Sequence, residues 1–185
     1  MSLTASRAAL LHVALQDLRA GKQLLIERLS PLAEATASTP LRKVIERDQA
    51  NARRHAARLD DIADLEGAPS NLWMSGIMDD ADRDACSHQR GSIRDTALIG
   101  ALRKAKSAEL VSIETAMALA GSEAPGMLPS LSANLAEDRA TETKLARLLN
   151  TIGGQIPVSY LSAAAAWAPP QAAAIAPVRT CRRRP

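Results

Sequence analysis

Two carboxylates interrupt a stripe of leucines. In the stretch LPSLSANLAEDRATETKLARLL, positions Leu128, Leu131, Leu135, Asp138, Glu142, Leu145 and Leu149 recur at steps of three and four. That spacing marks one buried face of a helix. A buried charge costs several kcal/mol unless a metal ion, a counter-charge or water meets it. Comparable interruptions occur in three other apolar segments. Between Ile45 and Leu59 stand Asp48, Asn51 or Ala52, and His55; between Leu102 and Ile113 stand Lys106 and Glu109; between Leu18 and Leu25 stands Gly21. Carboxylates and imidazoles projecting inward from facing helices form the donor set with which a helical bundle holds a pair of metal ions. Asp48, His55, Glu109, Asp138 and Glu142 are therefore the candidate ligands. Lys106 supports the opposite solution, since an ammonium three residues before Glu109 can pair with that acid or with Asp138 or Glu142.

The elements that must position these residues are long helices. Leu11, Ala14, Leu15, Leu18, Leu25, Leu29 and Leu32 define the first, about 4–36, with Pro31 expected to kink or end it. Thr39 is the expected N-cap of the second, with Pro40 at its first position. It should run over about 40–65 and stop at Gly67 and Pro69. A short connecting helix follows, with Trp73, Ile77 and Met78 turned inward. The third long helix spans about 93–120 and the fourth about 127–150, separated by GSEAPG. Four amphipathic helices with modest connections predict an all-α four-helix bundle over residues 1–150, with a short connecting helix between helices 2 and 3. The polar interruptions fall at similar depth, so they should meet in one layer.

Composition agrees with this expectation. Ala, Leu and Arg dominate and Phe is absent, so the core must be built from aliphatic side chains and Met. Met74, Met78 and Met117 are expected gap fillers in it. The formal charge is +3, and residues 151–185 contribute four arginines (Arg179, Arg182, Arg183, Arg184) with no Lys, Asp or Glu. Removing those four from +3 leaves −1 on residues 1–150. The linear order shows no clustered basic face with aromatics for nucleic acid. Nucleic acid or another anionic surface is expected to be met, if at all, by the Ala/Pro-rich, Arg-ended tail, which reads as disordered. Cys86 and Cys181 form neither a disulfide framework nor a CxxC pair, and no signal or spanning segment is evident. A cytoplasmic protein without membrane attachment is the expectation.

The stretches LRAGKQLL, LRKVIERDQANARRHAARLDDI, MSGIMDD, IRDTALIGALRKAKSAELVSIETAMALA and LAEDRATETKLARL resemble the YciE/YciF group of ferritin-like proteins, bacterial stress-associated helical bundles. The resemblance covers roughly residues 10–150 and is most specific at RDTALIGA and EDRATETKL. It implies a ferritin-like bundle with a dinuclear metal centre, and this chain departs from that centre. Where the group has Glu in AEKQL, the chain has Gly21. Asn51 replaces a Glu of helix 2, and Asp48 stands at a nearby His position. EHYE has become KSAE, so Lys106 and Ser107 replace an acid and an imidazole and Glu109 remains. DEEKATD is kept as AEDRATE, with Glu137, Asp138 and Glu142.

The resulting expectation is a stress-associated, non-catalytic interaction or structural protein with a degenerate dimetal centre. The alternative is a weak iron- or manganese-binding protein with residual oxidase or peroxide-consuming activity. No nucleophile elbow, P-loop, dinucleotide fingerprint or zinc motif is present. Isolated His12 and His88 read as surface or packing residues. Homodimerisation is implied by the resemblance and by the long bundle faces.

Overall fold

Ser6 opens the first helix by accepting a hydrogen bond from the Ala9 amide at 3.1 Å. The computed structural model describes residues 4–65, 67 and 69–154. Five helices carry them: α1 Arg7–Ala35, α2 Thr39–Asp60, α3 Leu72–Ser87, α4 Ser92–Glu123 and α5 Leu128–Ile152, with a short 3-10 turn Pro125–Met127 before α5. The all-α bundle with a short connecting helix is the architecture observed. Helices α1 and α2 form one hairpin and α4 and α5 another. The hairpins pack through α1 on α4 and α2 on α5, and α3 lies against α1 and α4. No described helix is long and apolar enough to cross a membrane. Of the tail expected over 151–185, Thr151 and Ile152 belong to α5, and the residues from 155 onward lie outside the described residues.

Three boundaries differ from the sequence expectation. Pro31 neither ends nor interrupts α1, because it sits on the exposed face and the helix continues to Ala35. The cap of α2 is Ser38, whose hydroxyl accepts from the Leu41 amide, so Thr39 and Pro40 are the first helical positions. Helix α2 stops at Asp60 rather than near 65. The amides of Ile62 and Ala63 both turn back onto the Leu59 carbonyl, and Leu65 folds into the core from the loop.

The α1–α2 turn is held by groups from distant elements. Asp95 of α4, 2% exposed, accepts from the amides of Ala37 and Ser38 at 2.9 and 2.8 Å. Arg42, Arg90 and Arg94 donate to the carbonyls of Ala33, Ala35 and Thr36. The end of α1 thus has cations where its unpaired carbonyls gather negative potential.

The core divides in two. One apolar cluster includes Leu25, Leu29, Leu41, Ile45, Met74, Met78, Leu98, Leu102 and Leu145. The other includes Leu11, Leu15, Leu18, Leu59, Ile113, Leu131 and Leu135. Met74 and Met78 are fully buried, as expected, whereas Met117 is packed at the margin of the second cluster. Between the clusters every long helix contributes polar residues. Truncating Leu29, which is fully buried, to Ala should cost about 2–5 kcal/mol. Val111→Ala, at a position 64% exposed, should stay within about 0.5 kcal/mol. Urea denaturation of the two variants checks both.

Candidate functional site: a buried lysine–carboxylate layer

Helix periodicity brings six ionisable side chains into the plane between the two clusters: Lys22 from α1, Asp48 and His55 from α2, Lys106 and Glu109 from α4, and Asp138 from α5. All are at most 3% exposed. Each continues the apolar stripe of its own helix by a step of three or four, so burial of the leucines forces burial of the charge.

Two ammonium groups organise the layer. Lys106 Nζ lies 2.6 Å from Glu109 Oε2, 2.8 Å from Asp48 Oδ1 and 3.2 Å from Asp138 Oδ1. Lys22 Nζ lies 2.5 Å from Glu109 Oε1 and 2.7 Å from Asp138 Oδ2. Glu109 and Asp138 each bridge both lysines, one oxygen to each. Asp48 Oδ1 and Glu109 Oε1 are within ion-pair distance of an ammonium but outside hydrogen-bond alignment. Two cations therefore face three carboxyl groups. The imbalance falls on Asp48, which has a single ammonium contact. Burial pushes its carboxyl up to about 6, against the pull of Lys106, and Glu109 and Asp138 add to the rise. For Asp138 burial acts in the same sense but is outweighed by Lys106, Lys22 and His55, which hold its carboxyl far below the usual range. Burial likewise works against the Lys106 ammonium. Asp138, Asp48 and Glu109 overcome it and raise that group well above the ordinary lysine value.

His55 connects the layer to the surface. Its Nε2 is 3.2 Å from Glu137 Oε2, and its Nδ1, 3.7 Å from Asp138 Oδ2, has no hydrogen-bond partner. Burial lowers the imidazole to about 4, with the nearby Lys22 ammonium contributing, so the ring is neutral at pH 7. Glu137 pays a desolvation penalty from burial. Hydrogen bonds from Arg58, Arg54 and His55 nonetheless bring its carboxyl down to about 2. Arg58 also donates to Asn134, and Arg54 to Asn51.

Of the sequence candidates, Asp48, His55, Glu109 and Asp138 meet in the layer together with Lys106. Glu142 does not. The buried stripe of α5 passes through Thr141 instead, and Glu142 turns to the edge, where Arg103 of α4 binds it at 2.6 Å. Among the described residues no three His, Cys, Asp or Glu side chains are arranged to hold a metal ion. Sequence reasoning missed Lys22. Its signal was present, since Leu18, Lys22, Leu25 and Leu29 step by four, three and four, whereas Gly21 is one residue out of that register. Gly21 serves a different contact. The N-cap of α3, Asn71, rests there, donating to the Asp17 carbonyl at 2.9 Å while its Oδ1 accepts from the Met74 amide. A Cβ on residue 21 would lie 3.1 Å from Asn71 Nδ2. Trp73, half-buried rather than fully inward, donates to Asp17, and Arg28 fastens α3 through Asp79 and Asp82.

Residues 6–155 match the family described as "Domain of unknown function (DUF892)", and the chain belongs to that family. Among solved structures it is similar to the Escherichia coli stress protein YciF, with a TM-score of 0.75 and 24% identity over 81% of this chain and 99% of that one. It is also similar to YcfI from Rhodopseudomonas palustris, with a TM-score of 0.71 and 22% identity over 77% of this chain and 94% of that one. Among the curated proteins no match to the chain is found.

Two predictions follow from the layer itself. Lys106→Met should leave Asp48 and Glu109 short of a counter-ion and destabilise the bundle by about 3–5 kcal/mol. Arg139→Ala, which breaks an exposed pair with Glu114, should cost less than about 1 kcal/mol. An unchanged melting temperature for Lys106→Met would show that the pairing carries no stability.

The second concerns pH. Asp48, raised from 3.8 to about 6, contributes stability that is present below 3.8 and lost as pH rises through 6. His55, lowered from 6.5 to about 4, contributes stability that is present above 6.5 and lost as pH falls through 4. Between about pH 4 and 6 the two oppose each other, and the wild type should be nearly pH-independent there. Over that window Asp48→Asn should lose stability on acidification and His55→Gln should gain it. Denaturant titrations at stepped pH read both slopes, and parallel slopes for the two variants would contradict the assignment.

Proposed function

We propose that this protein is a non-catalytic, stress-associated bundle in which an internal lysine–carboxylate network takes the place of a dimetal centre. The observation that carries the reading is the seating of Lys22 and Lys106 among Asp48, Glu109 and Asp138. Every carboxylate of the layer is engaged by an ammonium, and two further divalent cations would be placed beside two fixed positive charges. The donor set does not fit a metal pair. The likeness to a stress protein supports the biological setting. On this reading the protein acts in the cytoplasm through its surfaces, as a homodimer or with a partner.

A second reading, one weakly held iron or manganese ion with residual oxidase or peroxide-consuming activity, draws on one feature. The unpartnered Nδ1 of neutral His55 faces Asp138, and a neutral imidazole lone pair is a ligand. Elemental mass spectrometry separates the readings, applied to protein reconstituted anaerobically with iron or with manganese and then desalted. Well below one ion per chain is the outcome expected. A full equivalent that disappears in His55→Gln would favour the second reading, and two equivalents would overturn the first.

A further inference from the structure

The outer edge of α2 carries a row of cations that linear sequence order conceals. Lys43, Arg47, Arg54 and Arg58 fall within about 60° of one another on the helix wheel and extend over about 22 Å of helix. They lie on the α5 side, because Arg54 and Arg58 grip Glu137 of α5 at 3.0 and 2.8 Å. The other edge of α2 faces α1, where Gln49 donates to the Ile26 carbonyl, Asp60 pairs with Arg19, and Glu46 lines a cleft beside Ser30 and Glu34. On α5, Lys144 stands seven residues beyond Glu137, two turns along the same edge, and Arg147 follows it. The remaining charged residues of α5 are turned elsewhere: Arg139 and Glu142 to α4, and Asp138 to the interior.

The edge formed by Lys43, Arg47, Arg54 and Arg58 of α2 and Lys144 of α5 thus sets five cations against Glu137 and, at the C-cap of α2, Asp61, with Arg147 on the solvent side beside it. Lys43, Arg47, Lys144 and Arg147 are exposed and have no ion-pair partner among the described residues. Unrelieved like charge along one surface works against the folded state and suits an anionic ligand. The rest of the surface narrows its chemistry. Among the described residues the exposed large apolar ones are Leu10, Val13, Leu72, Ile93 and Val111, none of them on α2 or α5. The seam therefore has nothing to insert into a lipid layer. Neither helix carries Trp, Tyr or Phe on which an unpaired base could stack. A straight basic row without stacking groups matches a regular phosphate backbone, read without regard to sequence.

We propose that the α2–α5 seam is a binding surface for the phosphate backbone of duplex nucleic acid. This goes beyond the reading of the interior and does not depend on whether the layer holds metal, so metal content and nucleic-acid affinity fail separately.

The test is fluorescence anisotropy of the full chain with a labelled mixed-sequence DNA duplex over a series of salt concentrations. A single strand and phosphatidylglycerol vesicles serve as competitors. Wild type should bind the duplex with an affinity that falls steeply with salt. The variant Lys43→Glu/Arg47→Glu/Lys144→Glu/Arg147→Glu should bind at least about 100-fold more weakly at low salt, with a shallower salt slope. Lys104→Glu, which reverses an exposed cation on α4, should stay within about threefold of wild type. If the fourfold reversal fails to fold by circular dichroism, Lys43→Ala/Lys144→Ala should still weaken binding by about tenfold. Undiminished binding by the folded fourfold variant would overturn the proposal by assigning the affinity to another part of the chain. Absence of duplex binding by wild type, or preferential competition by vesicles, would overturn it as well.

Discussion

Neutralising charge in a space closed to water is the constraint around which this bundle is arranged. Three carboxyl groups and two ammonium groups from four helices share one plane, and no member can be moved without exposing another to an apolar neighbour. The apolar clusters above and below are conventional aliphatic cores that tolerate modest changes of volume. The layer does not tolerate them. Sliding one helix by a turn past its neighbours would set leucine against ammonium and carboxylate against leucine. The register of all four helices is fixed by electrostatics as well as by shape.

The connecting helix α3 is bound into the same scheme at a second level. Its N-terminus rests on α1 beside residue 21, one position from the lysine that enters the layer. Its cap residue, Asn71, therefore uses one side-chain atom to start its own helix and another to hold the neighbouring one. Arg28 completes the attachment through two aspartates of α3. Against that background Gly21 reads as a contact surface. A Cβ there would press on the Asn71 side-chain amide, which would have to give by a few tenths of an ångström.

Much of the architecture was legible in the sequence because leucine periodicity dictates it. The stripes of α1, α2, α4 and α5 were readable by counting, and so was the coincidence of their polar interruptions. Helix ends were less legible. Ser38 and Thr39 are both good caps, and the choice between them rests on Asp95, more than fifty residues away, which fixes the amides of the turn. Within the layer, Lys22 escaped notice because a lysine next to a glycine on a long helix reads as a solvated residue. Glu142 was assigned inward because positions 141 and 142 both satisfy the step from Asp138 to Leu145. Only the approach of Arg103 from α4 decides between them. The basic seam was illegible for a related reason. Its members are spread over two helices remote in sequence, and their charges cancel against the acids of α3 and its preceding loop in any overall count.

Because Lys22 and Lys106 are part of the polypeptide, the counter-ions of this core arrive at ribosomal stoichiometry. These two ammonium groups need not be acquired from the surroundings before the helices close, and competition for free ions cannot withdraw them afterwards. Their pairing with Glu109 and Asp138 is complete when folding is.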